Sequence, residues 1–379
     1  MQGDVLAPLI SSLQVDTIGK ECLEEDKHLY LYKDLVPIPP LGLVDDLFTI
    51  SKCGFQTGQM NDFINTKTAL KRLQFGTSKC VKLHVGKTCN STLCKDMFVD
   101  GWKLEVDTDP ETGRIFQKES FGGPEKMKVK TEQTYLGDVI SVDGKQTKNV
   151  QARKNKALGI ITQITQILDS VFFGKFHFEV ALILRSSLLL SSLLLNSEAW
   201  VNLSDRDIRA LEQTDEHLLG KILESDSNTS NTFKYLELGI YPIRFEIMKR
   251  KVIYLQYILQ QDKDSMLYKV FEATAQNPLK NDFLKICEKY LQRLKINLSF
   301  EEIEKMSKMS FKKLVKEKTK EVALKYLIQQ KNSQSKISMM NYEKLEIQEY
   351  LLDGNKNTKL SKLIFKARGK SLEIKTPKK

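Results

Sequence analysis

The chain has few cysteines and no long apolar run. Its 379 residues include 6 cysteines, none in a Cys-x-x-Cys pair, so neither a disulfide framework nor a paired-cysteine zinc site is indicated. The most apolar stretch, residues 180–195, contains Arg185 and four serines, and we predict a buried helix there and not a membrane span. The N-terminus lacks a basic start followed by an apolar core. We therefore expect an intracellular protein of the cytoplasm or nucleus that is not secreted and has no membrane partner.

Basic charge is concentrated at one end of the chain. The sequence carries 59 Lys and Arg against 48 Asp and Glu, a net charge of +11. Residues 301–379 contain 20 basic and 10 acidic residues, so they hold +10 of that excess. Such a segment favours an anionic polymer or surface as its partner, although many lysine runs are only solvated helix faces.

The hydrophobic pattern changes from mixed α/β to helical along the chain. In the first part it predicts extended chain over 29–43, a helix over 59–72 and a strand over 81–85. Turn signals then separate short strands through 97–141, the last of them over 135–141. From residue 149 onward the pattern is helical, so the fold class is predicted to be α+β.

The helical part carries one clear start signal and three apolar series. Ser204 and Asp207 have the spacing of a capping box. The series, each on one helical face, are Ile208, Leu211, Leu218, Leu219 and Ile222, then Phe245, Met248, Val252, Leu255 and Leu259, and more weakly Ile303, Met306, Leu314 and Val322.

Asp45 and Asp46 are adjacent carboxylates in an apolar sequence, residues 41–48, which read Leu-Gly-Leu-Val-Asp-Asp-Leu-Phe. We expect a hairpin there, with the two acids between apolar strands. Two like charges in that position repel one another, and a divalent cation such as Mg²⁺ would compensate them. The alternative is an exposed Asp-Asp turn, which is common in hairpins.

Further motifs stand on either side of this pair in an informative order. Gln2 and Gly3 precede a helix start at Pro8, Lys79 precedes the strand over 81–85, and residues 135–138 read Tyr-Leu-Gly-Asp. In this order the motifs resemble the palm, and then the thumb entry, of reverse transcriptases encoded by non-LTR retrotransposons.

The resemblance implies RNA-templated DNA synthesis by two-metal nucleotidyl transfer. Asp45 and Asp46 would bind the catalytic Mg²⁺ or Mn²⁺, and Lys79 would lie near the triphosphate of the deoxynucleoside triphosphate. Gln2 and Gly3 would contact the incoming nucleotide or the RNA template. The other nucleic-acid partner would be a DNA primer or target. Lys79 can equally be a surface lysine, Gly3 a helix-start glycine and Gln2 part of a frayed terminus.

The sequence also departs from that family. A further aspartate, on a strand that precedes the Gln-Gly helix in the family, has no counterpart in these residues, so we expect that this chain alone does not extend a primer. The implied organisation is a partial palm over 1–88, a β-rich connection and thumb entry over 89–148, a thumb-like helical block over 149–300, and a basic helical C-terminal region with a frayed tail over 301–379.

A second hypothesis is a nucleic-acid-binding remnant without chemistry, which uses the helical block and the basic tail. Two basic clusters could contact phosphates of a template–primer duplex, although each can also be a solvated helix face. His177, among phenylalanines, is predicted to be a core residue. The two clusters are Arg153, Lys154 and Lys156, and Lys249, Arg250 and Lys251.

Overall fold

A computed structural model gives the structure of most of the chain. It describes residues 16–24, 29–43, 46–52, 54–70, 80–83, 98–108, 115–126, 128–170, 177–279, 282–334, 337, 340–352 and 358–369. These residues form two compact units. The first unit holds the described residues within 1–134, 141–144 and 263–277, and the second unit holds those within 135–140, 145–262 and 278–379.

The first unit begins with helices and short hairpins. Strands β1 and β2 pair antiparallel, and so do β3 and β4. The segments are α1 (16–24), β1 (Tyr30–Tyr32), β2 (Val36–Ile38), β3 (Leu41–Leu43), β4 (Asp46–Phe48) and α2 (Gly54–Leu70). The predicted extended chain over 29–43 and the predicted helix after it are confirmed, with the helix starting earlier than expected.

The strands that follow confirm the β-rich middle. The pair β6–β7 is a long antiparallel hairpin, whereas β5 and β8 pair parallel. The strands are β5 (Val81–Leu83), β6 (Phe98–Thr108), β7 (Ile115–Lys126), β8 (Lys128–Lys130), β9 (Glu132–Tyr135) and β10 (Asp138–Ser141). The protein is therefore mostly helical with small sheets, which fits the predicted α+β class, and the assignment to a polymerase palm stays a prediction.

Among the described residues of the first unit, two hydrophobic clusters pack its helices and hairpins. One lies between α1 and α2, where Ile18, Cys22, Met60 and Ile64 are buried and Leu47 of β4 packs against them. The other covers the β1–β2 hairpin and includes Ala273, from a helix far along the chain.

The second unit contains most of β10 and is otherwise helical in its described residues, as predicted from residue 149 onward. Its helices are α3 (Thr147–Ser170), α4 (His177–Leu184), α5 (Leu190–Leu193), α6 (Asp205–Leu223), α7 (Asn231–Glu237), α8 (Ile243–Leu259), α10 (Phe283–Arg293), α11 (Phe300–Lys305), α12 (Lys308–Asn332), α13 (Glu349–Leu352) and α14 (Thr358–Arg368). The helix α9 (Met266–Gln276) lies between α8 and α10 in sequence and belongs to the first unit.

One continuous hydrophobic core holds the second unit together. Buried residues of α3, α6, α8, α12 and α14 meet in it, from Val150 at one end of the sequence to Phe365 at the other. Phe365 stacks on Phe233 of α7, with ring centroids 4.9 Å apart. The described part of the basic region 301–379 therefore shares its core with the block over 149–300.

Several local predictions hold in this unit. Ser204 caps α6, with its hydroxyl accepting from the Asp207 backbone and the Asp207 carboxylate accepting from the Ser204 backbone. His177 and Phe178 are buried and their rings meet edge to face. The apolar stretch is helical through α4, a π-helical turn at Arg185–Leu189 and α5. Among the helices that the structure describes, none combines the length and apolar character that crossing a bilayer requires.

One strand prediction is wrong. Residues 135–141 were expected to form one strand, but the chain turns at Leu136 and Gly137, which have φ of 48° and 85°, and β10 starts only at Asp138. Positive φ at two successive residues is the geometry of a type I′ hairpin turn. Leucine rarely adopts positive φ, so Leu136 carries no turn signal.

Candidate nucleic-acid interface

The β3–β4 hairpin contains Asp46, one of the two predicted metal ligands. Leu43, the last residue of β3, is in register with Asp46, the first residue of β4. Only residues 44 and 45 lie between them, so the predicted hairpin is present, with Asp46 inside β4 and not between the strands as expected. The Asp46 side chain is exposed, and Leu47 beside it packs against the α1–α2 core.

Four of the predicted site residues cannot be placed. Gln2, Gly3, Asp45 and Lys79 lie outside the described residues. Strand β5 begins two residues after Lys79, in agreement with the predicted order of turn and strand. Within the described part of the chain, no three His, Cys, Asp or Glu side chains form a group that could hold a metal ion.

The Tyr-Leu-Gly-Asp segment is fixed by its aspartate. The Asp138 carboxylate accepts a hydrogen bond from the Arg153 guanidinium at 2.7 Å, and others from Asn149 at 3.0 Å and from Asn196 at 2.6 Å. Asn149 and Arg153 lie one helical turn apart on α3, so both reach the same carboxylate. Asp138 therefore ties the start of β10 to α3 and to the turn after α5.

Helix α3 divides the first basic cluster between its two faces. Arg153 is buried, 4% exposed, on the face that also buries Val150 and Ala157. Lys154 is half-buried and Lys156 is exposed. Arg153 is thus held by Asp138 inside the unit, which removes it from the surface where a phosphate could bind, and Lys154 and Lys156 remain at that surface.

In the second basic cluster, Lys249 and Arg250 also bind groups of the protein itself. Lys249 pairs with Glu246 at 2.6 Å, and Arg250 pairs with Glu246 at 3.3 Å and donates to the backbone carbonyl of Leu194 at 2.8 Å. Burial would raise the pKa of Glu246, but the charges of Lys249 and Arg250 together hold it below its usual value. The Leu194 carbonyl also accepts from the backbone N–H of Ser197, so Arg250 adds a second donor at the end of α5.

Lys251 lies in the core of the second unit. It is 1% exposed, and its ammonium donates to the backbone carbonyls of Glu198, at 3.0 Å, and Trp200. Phe283 lies beside it, with the Lys251 nitrogen 5.3 Å from the ring centroid. Burial lowers the pKa of Lys251 to about 8. Because the protein encloses the Lys251 side chain, this lysine cannot make the predicted contact with a phosphate.

Helix α12 carries a set of exposed lysines that form no ion pair within the described residues. Its buried face consists of residues spaced by four, including Phe311, Val315, Ala323 and Leu327, and not the expected Leu314 and Val322, which are half-buried. Next to this face runs a second row with the same spacing, which we call the lysine row. The lysine row is Lys308, Lys312, Lys316 and Lys320, all of them exposed.

The second unit also contains ion pairs with buried carboxylates that the sequence did not indicate. Arg185, in the π-helical turn, forms two hydrogen bonds of 2.7 Å to Asp215 of α6, and Arg244 forms two to Glu212, at 2.6 and 2.8 Å. These partners lie 30 and 32 residues apart in the chain. Sequence spacing carries no signal for pairs so distant. Their burial makes them structural elements of the fold.

Glu237, at the end of α7, is the most heavily bonded of these groups. Its carboxylate is 0% exposed and accepts from the hydroxyls of Tyr342 and Tyr350 and from the Arg368 guanidinium at 3.0 and 3.1 Å. Burial and the Glu237 charge raise the pKa of both tyrosines, so they remain neutral donors. Glu237 thereby ties the C-terminal segment, up to α14, to the centre of the unit.

Comparisons of this chain with protein-family profiles, with curated proteins and with solved structures found no match.

Proposed function

We propose that this chain is the C-terminal part of a reverse transcriptase of the non-LTR retrotransposon type, whose activity is RNA-templated DNA synthesis. The observation that carries the proposal is the β3–β4 hairpin, because its register leaves only residues 44 and 45 between Leu43 and Asp46. The strand after Lys79 and the Asp138 hairpin before α3 follow in the order that the resemblance implies.

The proposed activity requires divalent metal ions at the hairpin acids. Asp46 would be one oxygen ligand of Mg²⁺ or Mn²⁺, ions that prefer carboxylates and retain water. Asp46 is exposed at the start of β4, so its carboxylate is open to an ion. The other proposed ligand is Asp45, which lies outside the described residues.

Primer extension tests the polymerase proposal and the sequence expectation together. The purified chain would be given an RNA template with an annealed DNA primer, deoxynucleoside triphosphates and Mg²⁺ or Mn²⁺. We expect no incorporation from these residues alone, and incorporation on addition of a homologous fingers segment that supplies the further aspartate. Incorporation that is unaffected by Asp45→Ala would contradict the role assigned to Asp45.

A second candidate function is nucleic-acid binding without chemistry. It is favoured by α3, whose sequence contains three lysines besides the buried Arg153 and no acid before Asp169, and which exposes Lys156 at its surface. Filter binding of an RNA–DNA hybrid should then weaken steeply as salt rises, and Asp45→Ala should not change it. Loss of binding in Asp45→Ala would instead favour a site at the hairpin.

A further inference from the structure

We infer that the lysine row of α12 is a surface that binds the sugar–phosphate backbone of a nucleic acid. This inference deepens the proposed nucleic-acid binding by naming the surface, and it does not depend on the chain being a polymerase.

The row has a regular geometry. A step of four residues advances about 6 Å along an α-helix and about 40° around it. Lys308 and Lys320 are therefore roughly 18 Å apart along the helix axis. Around the axis, the four lysines span about a third of the helix circumference. All four ammonium groups are thus presented to one side of the helix, in a row long enough to meet several phosphates of one strand.

The row is not compensated by acids of its own helix. The sequence of α12 contains 8 lysines and 2 glutamates. Glu321 pairs with Lys318 at 3.1 Å and with Lys325 at 2.7 Å, both outside the row. Lys331 is buried and donates to the backbone carbonyl of Met340. Within the described residues, the four lysines of the row form no ion pair at 4.0 Å or less, and Glu317 is the remaining acid of the helix.

This arrangement opposes helix formation. Like charges four residues apart destabilise a helix, and cations in its first turns oppose the helix dipole. Lys308 is the first residue of α12, directly after its N-cap Ser307. The row therefore does not serve the stability of α12. A polyanion along the row would remove both repulsions.

Nucleic acid fits this surface better than a membrane does. A helix that lies on a membrane exposes apolar side chains between its lysines, so that they enter the lipid. In α12 the apolar residues Phe311, Val315 and Leu327 are buried in the second unit. The large hydrophobic side chain that α12 exposes is Met309. A phosphate backbone requires only the charges.

A matched pair of double variants tests the inference. Lys312→Gln with Lys316→Gln removes the middle of the row, and Lys318→Gln with Lys325→Gln removes two lysines of the same helix that are paired with Glu321. Both full-length variants change the net charge equally. Binding of a labelled RNA–DNA hybrid and of a single strand is measured by fluorescence anisotropy from 50 to 300 mM KCl, with circular dichroism to verify folding.

We expect the row variant to lose roughly 10- to 50-fold in affinity at 0.1 M salt and its log–log salt slope to fall by about 1.4 to 1.8, since each lost phosphate contact removes about 0.7 to 0.9. The control variant should keep most of its affinity. Equal losses in both variants would show an effect of net charge alone and overturn the inference, and so would no loss in either. In that last case the chain still binds nucleic acid elsewhere, and the proposed function stands.

Anionic vesicles serve as the competing partner. The wild-type chain is mixed with vesicles of phosphatidylcholine that contain 30% phosphatidylserine, and sedimentation is compared with that of the row variant. We expect little binding and no difference between the two. A row variant that loses vesicle binding and retains the hybrid would overturn the inference in favour of a membrane surface.

Discussion

The Arg153 guanidinium of α3 donates a 2.7 Å hydrogen bond to the Asp138 carboxylate at the start of β10. The arginine is 4% exposed, so one member of a basic run in the sequence is part of the interior of the fold. Gly137 lies beside this pair, and a Cβ there would be 3.8 Å from the guanidinium. Basic residues that are adjacent in sequence therefore do not necessarily form a basic surface.

Removal of Asp138 should strongly destabilise the second unit. Asp138→Ala leaves Arg153 buried without its counter-charge, and breaking such a pair costs about 3 kcal/mol or more. Asp138→Asn should cost less, since the amide oxygen still accepts a hydrogen bond. Urea unfolding followed by circular dichroism measures the change. Lys156→Ala, on the exposed side of α3, is the control and should stay within about 0.5 kcal/mol of wild type. Similar costs for Asp138→Ala and Lys156→Ala would show that the pair is unimportant.

The C-terminal segment should depend on Glu237. Arg368→Met removes the cation that faces this buried carboxylate, and we expect a loss of about 3 kcal/mol in the free energy of unfolding. Glu237→Gln in the Arg368→Met background should recover part of that loss, because a neutral amide costs less to bury than a charge. Lys359→Met, at an exposed position of the same helix, is the matched control. If Glu237→Gln and Arg368→Met simply add, the two groups are not coupled.

Lys251 should give the fold a characteristic dependence on pH. Burial holds its pKa at about 8 in the folded chain, against an ordinary value of 10.5 that it regains on unfolding. Between these values the unfolded chain binds more protons than the folded one, so the fold gains stability as pH rises. From pH 7.5 to 9 the gain is about 1 kcal/mol.

Chemical unfolding at several pH values tests this dependence. The gain between pH 7.5 and 9 should be absent in Lys251→Met, whatever the overall stability of that variant. It should persist in Lys249→Met, which alters the half-buried neighbour that pairs with Glu246. A wild-type chain whose stability is flat or falls over this pH interval relative to Lys251→Met would refute the assignment.

The lysine row should also be visible in stability measurements. Lys312→Gln with Lys316→Gln removes three like-charge pairs at a spacing of four residues, each worth about 0.2–0.5 kcal/mol. We therefore expect Tm to rise in low salt and the gain to shrink in high salt. Lys318→Gln with Lys325→Gln should lower Tm, because it removes both partners of Glu321, whose pKa the hydrogen bonds from Lys325 and Lys318 lower to about 2. A row variant that melts below wild type in low salt would contradict the repulsion.

The sequence predicted local structure well where the signal is local. The capping box at Ser204, the apolar series of α6 and α8 and the hairpin at residues 41–48 all depend on neighbours within a few residues, and each is present. Partners far apart in sequence were not predictable. Arg185 and Asp215, or Glu237 and Arg368, meet only because helices pack, and periodicity carries no information on that.

The basic clusters illustrate the same limit at the candidate site. Lys251 is adjacent to Arg250 in sequence and equally basic, yet it is enclosed, because the position on α8 that it occupies faces the core. On α12 the expected apolar face was misplaced by about one residue. Val315 and Ala323 are buried, and the expected Leu314 and Val322 are half-buried. Helical spacing predicts that a face exists, and packing decides which one is buried.

Binding of Mn²⁺ by the hairpin acids tests the central proposal most directly. The chain is titrated with Mn²⁺ and free ion is measured by electron paramagnetic resonance, for wild type and for the double variant Asp45→Asn with Asp46→Asn. Asp34→Asn alters an exposed acid in the turn of the β1–β2 hairpin, which pairs with Lys52 at 3.0 Å, and serves as the control. The account predicts that wild type and Asp34→Asn bind the ion and that the double variant does not. Equal binding by all three proteins, or by none, would contradict the assignment of Asp45 and Asp46 as metal ligands.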